Sequence, residues 1–387
     1  MNDLEILRFE RIEEVPAQVW ADLSHSRSLF TSRGWSLTLR SSNDRVPVEF
    51  WAVRDAGGCL LGIPVHIYPE APARYTYDVW SLHRRDLVPA AGSDHRSRPH
   101  VLIGTRNGQH NGFVSSGRPC DGAAGKLLTA IADAHRSSVV GMLYLDRELM
   151  RALTAELPDW DGYFVDAAGE LAVPAAGSGI GSFLSTVADS RARGRIRAEL
   201  RGVEDDPVDR IEDAAAIERL APVLAPLLAN LHRRHGQPAD EASMASYIRA
   251  TAHSGLQPQL FLTGGTTRPK AFSLAVQDEN LMSVRVTGFD YESLGERPKE
   301  YPRLLMYEPL LYAMRSGVGV IDLGTGALFA KLLRGARAVP LYSLVRLPDG
   351  LPVERVPGGD RARLADISAT IPKLSAESIS HWAVDHD

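Results

Sequence analysis

The sequence predicts an α/β chain made of two successive halves, each a mixed, mostly antiparallel sheet flanked by helices. Three observations predict it. The 387 residues suffice for two domains of ordinary size. Helical patterns, a strand meander, a longer helix, a strand, a short helix and a final strand follow one another twice along the chain. Between the two runs lies Ala175-Ala176-Gly177-Ser178-Gly179, small residues without periodicity that predict a linker. The expected domains are therefore residues 1–174 and 175–387.

In the first half, helical patterns occupy 16–23 and 32–39. Residues 46–54 (VPVEFWAVR) read as a strand, with Pro47 tolerable at its start. Ala56-Gly57-Gly58 is a turn signal, and 59–68 returns as the second strand of a hairpin. Residues 69–100, rich in Pro, Arg and His, read as a long loop or irregular insertion holding Tyr75, Tyr77 and Trp80. Short strands at 100–104 and 112–116 precede a helix over 122–135, where Leu127, Leu128 and Ile131 recur at helical spacing. A buried strand at 139–145, a helix at 148–157 and a strand at 162–173, stopped by Pro174, complete the half.

The second half repeats the order more clearly. Helices are expected at 180–188, 190–201, 213–235 and 241–253. A meander follows at 259–263, 270–277 and 281–290, with turns at Gly264-Gly265 and 278–280. The next helix begins at Pro302, whose missing N–H costs nothing in a first turn, kinks at Pro309 and stops near Gly317. A strand at 318–323, a helix at 327–334 and a strand at 339–347 come next, then a tail with a Gly358-Gly359 turn and a weak helix.

Composition removes several classes of function. Two distant cysteines, Cys59 and Cys120, exclude a disulfide scaffold and fit a reducing cytoplasm. No stretch is read as approaching the ~20 apolar residues of a membrane span, so the chain is expected to be soluble, unexported and cytoplasmic. A formal charge of −5 rules out a basic nucleic-acid coat. His83, His95, His100 and His110 show no ligand spacing with carboxylate or Cys, so no metal site is expected. A Gly-x-Ser-x-Gly elbow is absent, and the Gly-rich run 177–181 lacks the Lys-Ser/Thr of a P-loop. Only 5 of the 43 basic residues are lysines, which singles out Lys331.

The order of elements is that of the GNAT fold, and residues 288–342 add specificity. Gly288-Phe289-Asp290-Tyr291 ends a strand, Tyr307-Glu308-Pro309 lies in the helix, and Gly324-Thr325-Gly326 follows the next strand. Leu328-Phe329-Ala330-Lys331, with Arg334 and Gly335, looks like a Gly-Leu-x-x-Phe-Lys element with a shifted Phe. In these residues the second half resembles the GNAT-like domain of the FemABX aminoacyltransferases and related bacterial acyltransferases; the first half, a degenerate copy, matches in layout only. One departure is informative. Acetyl-CoA-using GNAT enzymes carry an Arg/Gln-x-x-Gly-x-Gly/Ala loop ahead of the long helix, whose N–H groups cradle a diphosphate. Here 294–302 reads LGERPKEYP: prolines remove donors and glutamates repel phosphate, although Arg297 and Lys299 partly offset them. The resemblance implies an activated ester donor, aminoacyl-tRNA, with no cofactor.

Acyl transfer to an amine needs a neutral, oriented amine and a donor for the developing oxyanion. The resemblance places Lys331 facing the donor ester, to stabilise the oxyanion or the leaving ribose oxygen; otherwise it is a solvated helix residue. Asp290 and Glu308 are candidate proton acceptors or ordinary surface charges. Tyr291, with Tyr301 and Tyr307, either lines the cleft or fills core. Gly324, Thr325 and Gly326, with Phe329 and Arg334, are expected to bind the donor, unless the glycines form a plain strand-to-helix turn. The run RARGRIRAELR holds Arg191, Arg193, Arg195, Arg197 and Arg201, the second, fourth and fifth sharing a face by i,i+4 spacing. With Arg233 and Arg234 they form a candidate tRNA-phosphate patch, or a solvated face. Tyr75, Tyr77 and Trp80 are expected to shape the pocket for a small-molecule amine acceptor or a cell-wall precursor. The break at Gly236-Gln237-Pro238 excludes a long coiled-coil arm and favours a diffusible acceptor. Two rivals stand: an acyl-CoA or carrier-protein thioester donor, and a non-catalytic GNAT-like binding module.

Overall fold

The computed structural model describes every residue except 1–3, 27, 42–45, 73–74, 107, 119–120, 178, 202–206, 297 and 385–387; Cys120, Ser178 and Arg297 thus lie outside the described residues. The chain forms two units that interleave in sequence. One holds residues 1–37, 45–167 and 340–387, the other 38–44 and 168–339. The expected division at 174/175 differs from this in one large respect: 340–387 belongs with the first unit. The reason is a long-range pairing. The end of the strand Arg337–Arg346 runs antiparallel to Val139–Leu145, with Leu344 opposite Met142.

The first unit is built on a mixed sheet. Glu5–Phe9, Val48–Asp55, Gly58–Tyr68 and His100–Ile103 pair antiparallel in that order, and His100–Ile103 pairs parallel with Val139–Leu145. The expected hairpin forms at Gly57-Gly58, where Gly58 takes a φ of 114° that disfavours a side chain. Residues 69–100 are more ordered than their composition suggests. Asp78 caps the helix Val79–Leu82 and binds Arg96 at 2.7 Å, and Leu87–Pro89 pairs with Val353–Arg355. The tail is held by Asp360, which accepts from the Phe164 and Val384 amides at 3.1 Å.

In the second unit the antiparallel order is Val208–Ile211, Gln257–Thr263, Ala271–Asp278, Leu281–Phe289. Side chains alternate between two faces. Leu260, Leu262, Phe272 and Val286 meet the helices Ala214–Arg234 and Glu241–Ala252. Phe261, Ala271, Ala275 and Phe289 meet the opposite layer, formed by Ile180–Thr186, Ser190–Arg201 and the helix around Tyr307. Asp213 caps Ala214–Arg234 through Ala215 and Ala216, and Gly236 at φ 64° ends it, as expected. At 21 residues with a mean hydropathy of 1.3, that helix is long and apolar enough to cross a membrane by length and composition alone. Here its apolar side, including Ile217, Leu224 and Leu228, is packed in the core.

Candidate functional site

Strand pairing in the second unit sets the site. Leu281–Phe289 runs parallel to Val320–Asp322 over Leu281↔Val320, Met282↔Ile321 and Ser283↔Asp322. Beyond Ser283 the first strand continues to Phe289, whereas the second ends. On the other edge the register shifts, Leu274 facing Val286 and Ala275 facing Val284, so Arg285 is the extra residue of a β-bulge. A bulge bends its strand and commonly sits beside a functional site. Bend and ended pairing together open the sheet along 284–289.

The turn that closes this opening is held by charge. Buried Asp322 accepts from Ser283 Oγ at 2.6 Å and from the Gly324 amide at 2.8 Å. Lys331, 2% exposed, folds back over the same turn and donates its ammonium to the carbonyls of Leu323 (2.5 Å) and Gly324 (2.8 Å). The solvated-helix alternative is thereby removed. Equally, the ammonium is engaged with backbone, so it holds the turn rather than projecting into an open cleft. Its stem passes Gly169 so closely that a Cβ there would lie 2.9 Å from Lys331 Cδ. Gly326 and Ala327 are exposed; Ala327 takes a left-handed φ of 51° at the head of the helix Leu328–Leu332, and Phe329 is 39% exposed beside it.

The longer helix enters at Glu300, two residues before the expected start, and is π-wound over Arg303–Tyr307. Pro309 explains the winding. The Glu308 amide donates to the Arg303 carbonyl, which leaves Leu304 C=O with neither its α donor, Glu308, nor a π donor, since Pro309 has no N–H. Ser273 Oγ fills the gap at 2.6 Å. The distortion expected at Pro309 thus falls on the turn before it. Glu308 is ion-paired to buried Arg303 at 3.0 Å, which weakens its standing as a free proton acceptor. Asp290 caps the short helix Tyr291–Leu294 through the Ser293 amide at 3.3 Å, a structural use of that carboxylate.

Tyr307 is 1% exposed and belongs to a network that the sequence reading missed. Its hydroxyl donates to Glu199, whose two oxygens also accept from Arg334 Nε (2.8 Å) and Nη2 (2.7 Å). Arg334 Nη1 donates to the Ala330 carbonyl at 2.8 Å, so the guanidinium also grips the end of the Lys331 helix. Burial, then the Glu199 carboxylate, push the Tyr307 hydroxyl well above the usual range. Burial works against the Arg334 charge, but Glu199 more than offsets it and the pKa rises. A signal for Glu199 existed. It shares the helix face of buried Ala192 and Ile196 at i, i+4, i+7 spacing, an acid where the stripe calls for an apolar residue.

Tyr291 and Tyr301 gather on Phe289, with ring centroids 5.8 and 6.0 Å from it. Arg234 lies 4.6 Å over the Tyr291 ring, a cation–π contact. Burial raises both phenol pKa values, so both hydroxyls keep their protons at neutral pH.

The arginines divide. Arg191, Arg195, Arg197 and Arg201 are exposed on the helix Ser190–Arg201. Arg193 instead bonds the Val187 and Ala188 carbonyls at 2.7 and 2.9 Å, and Arg233 pairs with Glu241 at 2.9 Å. In the first unit, Tyr77 and Trp80 are 6% and 4% exposed; Trp80 Nε1 bonds the His95 carbonyl and Arg106 stands over Tyr77. Of the expected acceptor aromatics only Tyr75, at 64%, faces solvent. The same unit aligns Ser343, His83 and Asp86 at 2.8 and 3.4 Å, but all three are buried and Arg363 holds Asp86 at 2.6 Å, so the row serves packing rather than attack on a substrate. Among the described residues no three His, Cys, Asp or Glu groups converge as a metal site.

No protein-family model matches the sequence, and no curated protein aligns with it significantly. Solved structures do match. FemX superposes with a TM-score of 0.57 over 89% of this chain and 97% of its own, at 12% identity. A C-terminal domain assigned to a lysylphosphatidylglycerol synthetase of Agrobacterium fabrum gives 0.52 over 91% and 97%, at 9% identity. A protein of Bacteroides thetaiotaomicron without assigned function gives 0.53 over 90% and 100%, at 13% identity. Element order and superposition over most of the chain agree: the chain has the mixed α/β fold seen in FemX.

Proposed function

We propose that this protein is an acyltransferase that moves an aminoacyl group from aminoacyl-tRNA to an amine of a small molecule or cell-wall precursor, forming an amide. The observation that carries the reading is the opening of the sheet past Ser283 and Asp322, with the Lys331-braced turn on one side and the aromatic group around Phe289 on the other. The backbone edge of a strand that has lost its neighbour carries N–H groups suited to a developing oxyanion. Lys331 acts through the carbonyls it holds, fixing the Gly324–Ala327 turn against which the ester rests. Tyr301 and Tyr291 orient the donor by O–H bonds and stacking. Catalysis on this view is positional and electrostatic, with no covalent enzyme intermediate.

The donor is inferred from two features. Ahead of the longer helix, the one-turn helix Tyr291–Leu294 and Pro298 stand in place of an open glycine loop, and a buried Glu300 lies at the longer helix's first turn, where a carboxylate opposes a diphosphate. The exposed Arg191, Arg195, Arg197 and Arg201 suit tRNA phosphates. The reading implies work in the cytoplasm, where charged tRNA resides, and needs no metal.

Incubation with labelled seryl-, glycyl- and alanyl-tRNA, and separately with acetyl-CoA, tests it. Amine-dependent deacylation of one tRNA is expected. Thioester turnover without tRNA consumption overturns the donor assignment, and no turnover with any donor favours a binding module.

A further inference from the structure

The helix Ser190–Arg201 has two charged faces with different uses. Outward it shows Arg191, Arg195, Arg197 and Arg201; inward, between buried Ile196 and half-buried Leu200, it sends Glu199. The Glu199 carboxylate, 24% exposed, accepts from Arg334 Nε and Nη2 and from the Tyr307 hydroxyl. These three residues come from three elements: the arginine helix, the segment after the Lys331 helix, and the π-wound turn. The chain of contacts continues without a gap. Arg334 bonds the Ala330 carbonyl, its amide bonds the Lys331 carbonyl at 2.9 Å, and Lys331 grips the carbonyls of Leu323 and Gly324. A bidentate carboxylate–guanidinium pair fixes both distance and plane, so a shift of the helix at Glu199 is imposed on Arg334. A carboxylate here also has an evident cost: burial of charge amid a largely apolar layer, where a leucine would pack as well. Its geometry accounts for its presence only if a fixed link between these elements is useful.

We infer that Glu199 is a positioning residue that transmits engagement of a polyanion on the arginine face to the turn Gly324–Ala327. The inference rests on the donor reading above and deepens it. Phosphates drawn to Arg197 and Arg201 load the helix, and Glu199 and Arg334 carry the load to the segment that braces the opening. Tyr307 keeps the carboxylate in plane and ties the link to the π turn.

Two measurements on the full chain test this. The first is hydrogen exchange of residues 323–335 with and without deacylated tRNA, for the wild type, Glu199→Gln and Tyr307→Phe. Protection of that segment is expected to rise on tRNA binding in the wild type. In Glu199→Gln the tRNA dissociation constant should stay within about twofold, because phosphate affinity resides in the outward arginines, while the transmitted protection is lost. The second is single-turnover transfer from the tRNA found active, where Glu199→Gln should lower the rate constant by about 100-fold with donor affinity retained. Glu199→Asp, which keeps the charge but shortens the reach, should recover part of it. Absence of tRNA binding to the wild type overturns both the donor reading and this inference. Binding without any change at 323–335, or a Glu199→Gln protein that transmits it normally, overturns the inference alone.

Discussion

Ser273 Oγ stands 2.6 Å from the Leu304 carbonyl, an acceptor that the helix abandons where Pro309 forces a π turn. Both groups are buried, so the bond has no water to replace it. Ser273→Ala leaves a buried carbonyl unsatisfied, and a loss of about 1–3 kcal/mol is expected. Urea denaturation measures it; an unchanged midpoint would show that the turn rewinds to satisfy itself.

Lys331→Met keeps the stem that packs on Gly169 and removes the ammonium. The Leu323 and Gly324 carbonyls then lose a charged donor. Transfer is expected to fall by about 100-fold, through misplacement of the turn, while the protein stays folded. Gly169→Ala attacks the same contact from the other side, since its Cβ would stand 2.9 Å from Lys331 Cδ. It should lower the rate with the ammonium still present. A Met variant as active as the wild type removes Lys331 from the mechanism.

The arginines predict a split in behaviour. Arg197→Gln and Arg201→Gln should each weaken tRNA binding and reduce the salt slope by about 1, with stability unaltered. Arg193→Gln should instead lower stability, because Arg193 holds the Val187 and Ala188 carbonyls ahead of its own helix. Titrations of tRNA across a range of salt separate the two kinds of arginine; equal salt slopes in all three variants contradict the assignment.

Stability should decline with acid in two stages. Burial lowers the pKa of His66 from 6.5 to about 4, and lowers those of His83 and His100 as well. An unfolded chain therefore binds these protons first, so stability is full above about pH 6.5 and is lost as pH falls toward about 4. For His66 the loss is on the order of 3 kcal/mol. Glu49 follows. Its burial alone would raise the pKa, but His135, Arg8 and Trp51 bond the carboxylate and bring it from 4.5 down to about 2, so its contribution disappears between those values. Denaturant midpoints across this range check both stages, and His66→Gln should flatten the first. An acid limb unaffected by that change contradicts the cause given.

Much of the chain was legible locally. Asp213 and Gly236 bracket the long helix, Gly317 at φ 82° ends the kinked one, and the alternation in Gln257–Thr263 and Leu281–Phe289 marks the meander, each through residues only a few positions apart. In the candidate site, Lys331, Arg334, Tyr307 and the Gly324–Gly326 glycines stand out by motif, but their hydrogen-bond partners do not. The exposed roles expected of Tyr77 and Trp80 gave way to packing, since an aromatic in a polar segment carries no mark of which way it turns.

What the sequence determined by itself is therefore the succession of helices and strands, because caps, turns and periodicity act within one or two turns of chain. Tertiary structure alone decided that 340–387 returns to the first unit, that Arg285 bulges, that Lys331 faces inward, and that Glu199 meets Tyr307 and Arg334 across separations of 108 and 135 residues. Such contacts depend on which surfaces bury each other and which buried polar groups then need partners, and neither is encoded in any short window of the chain.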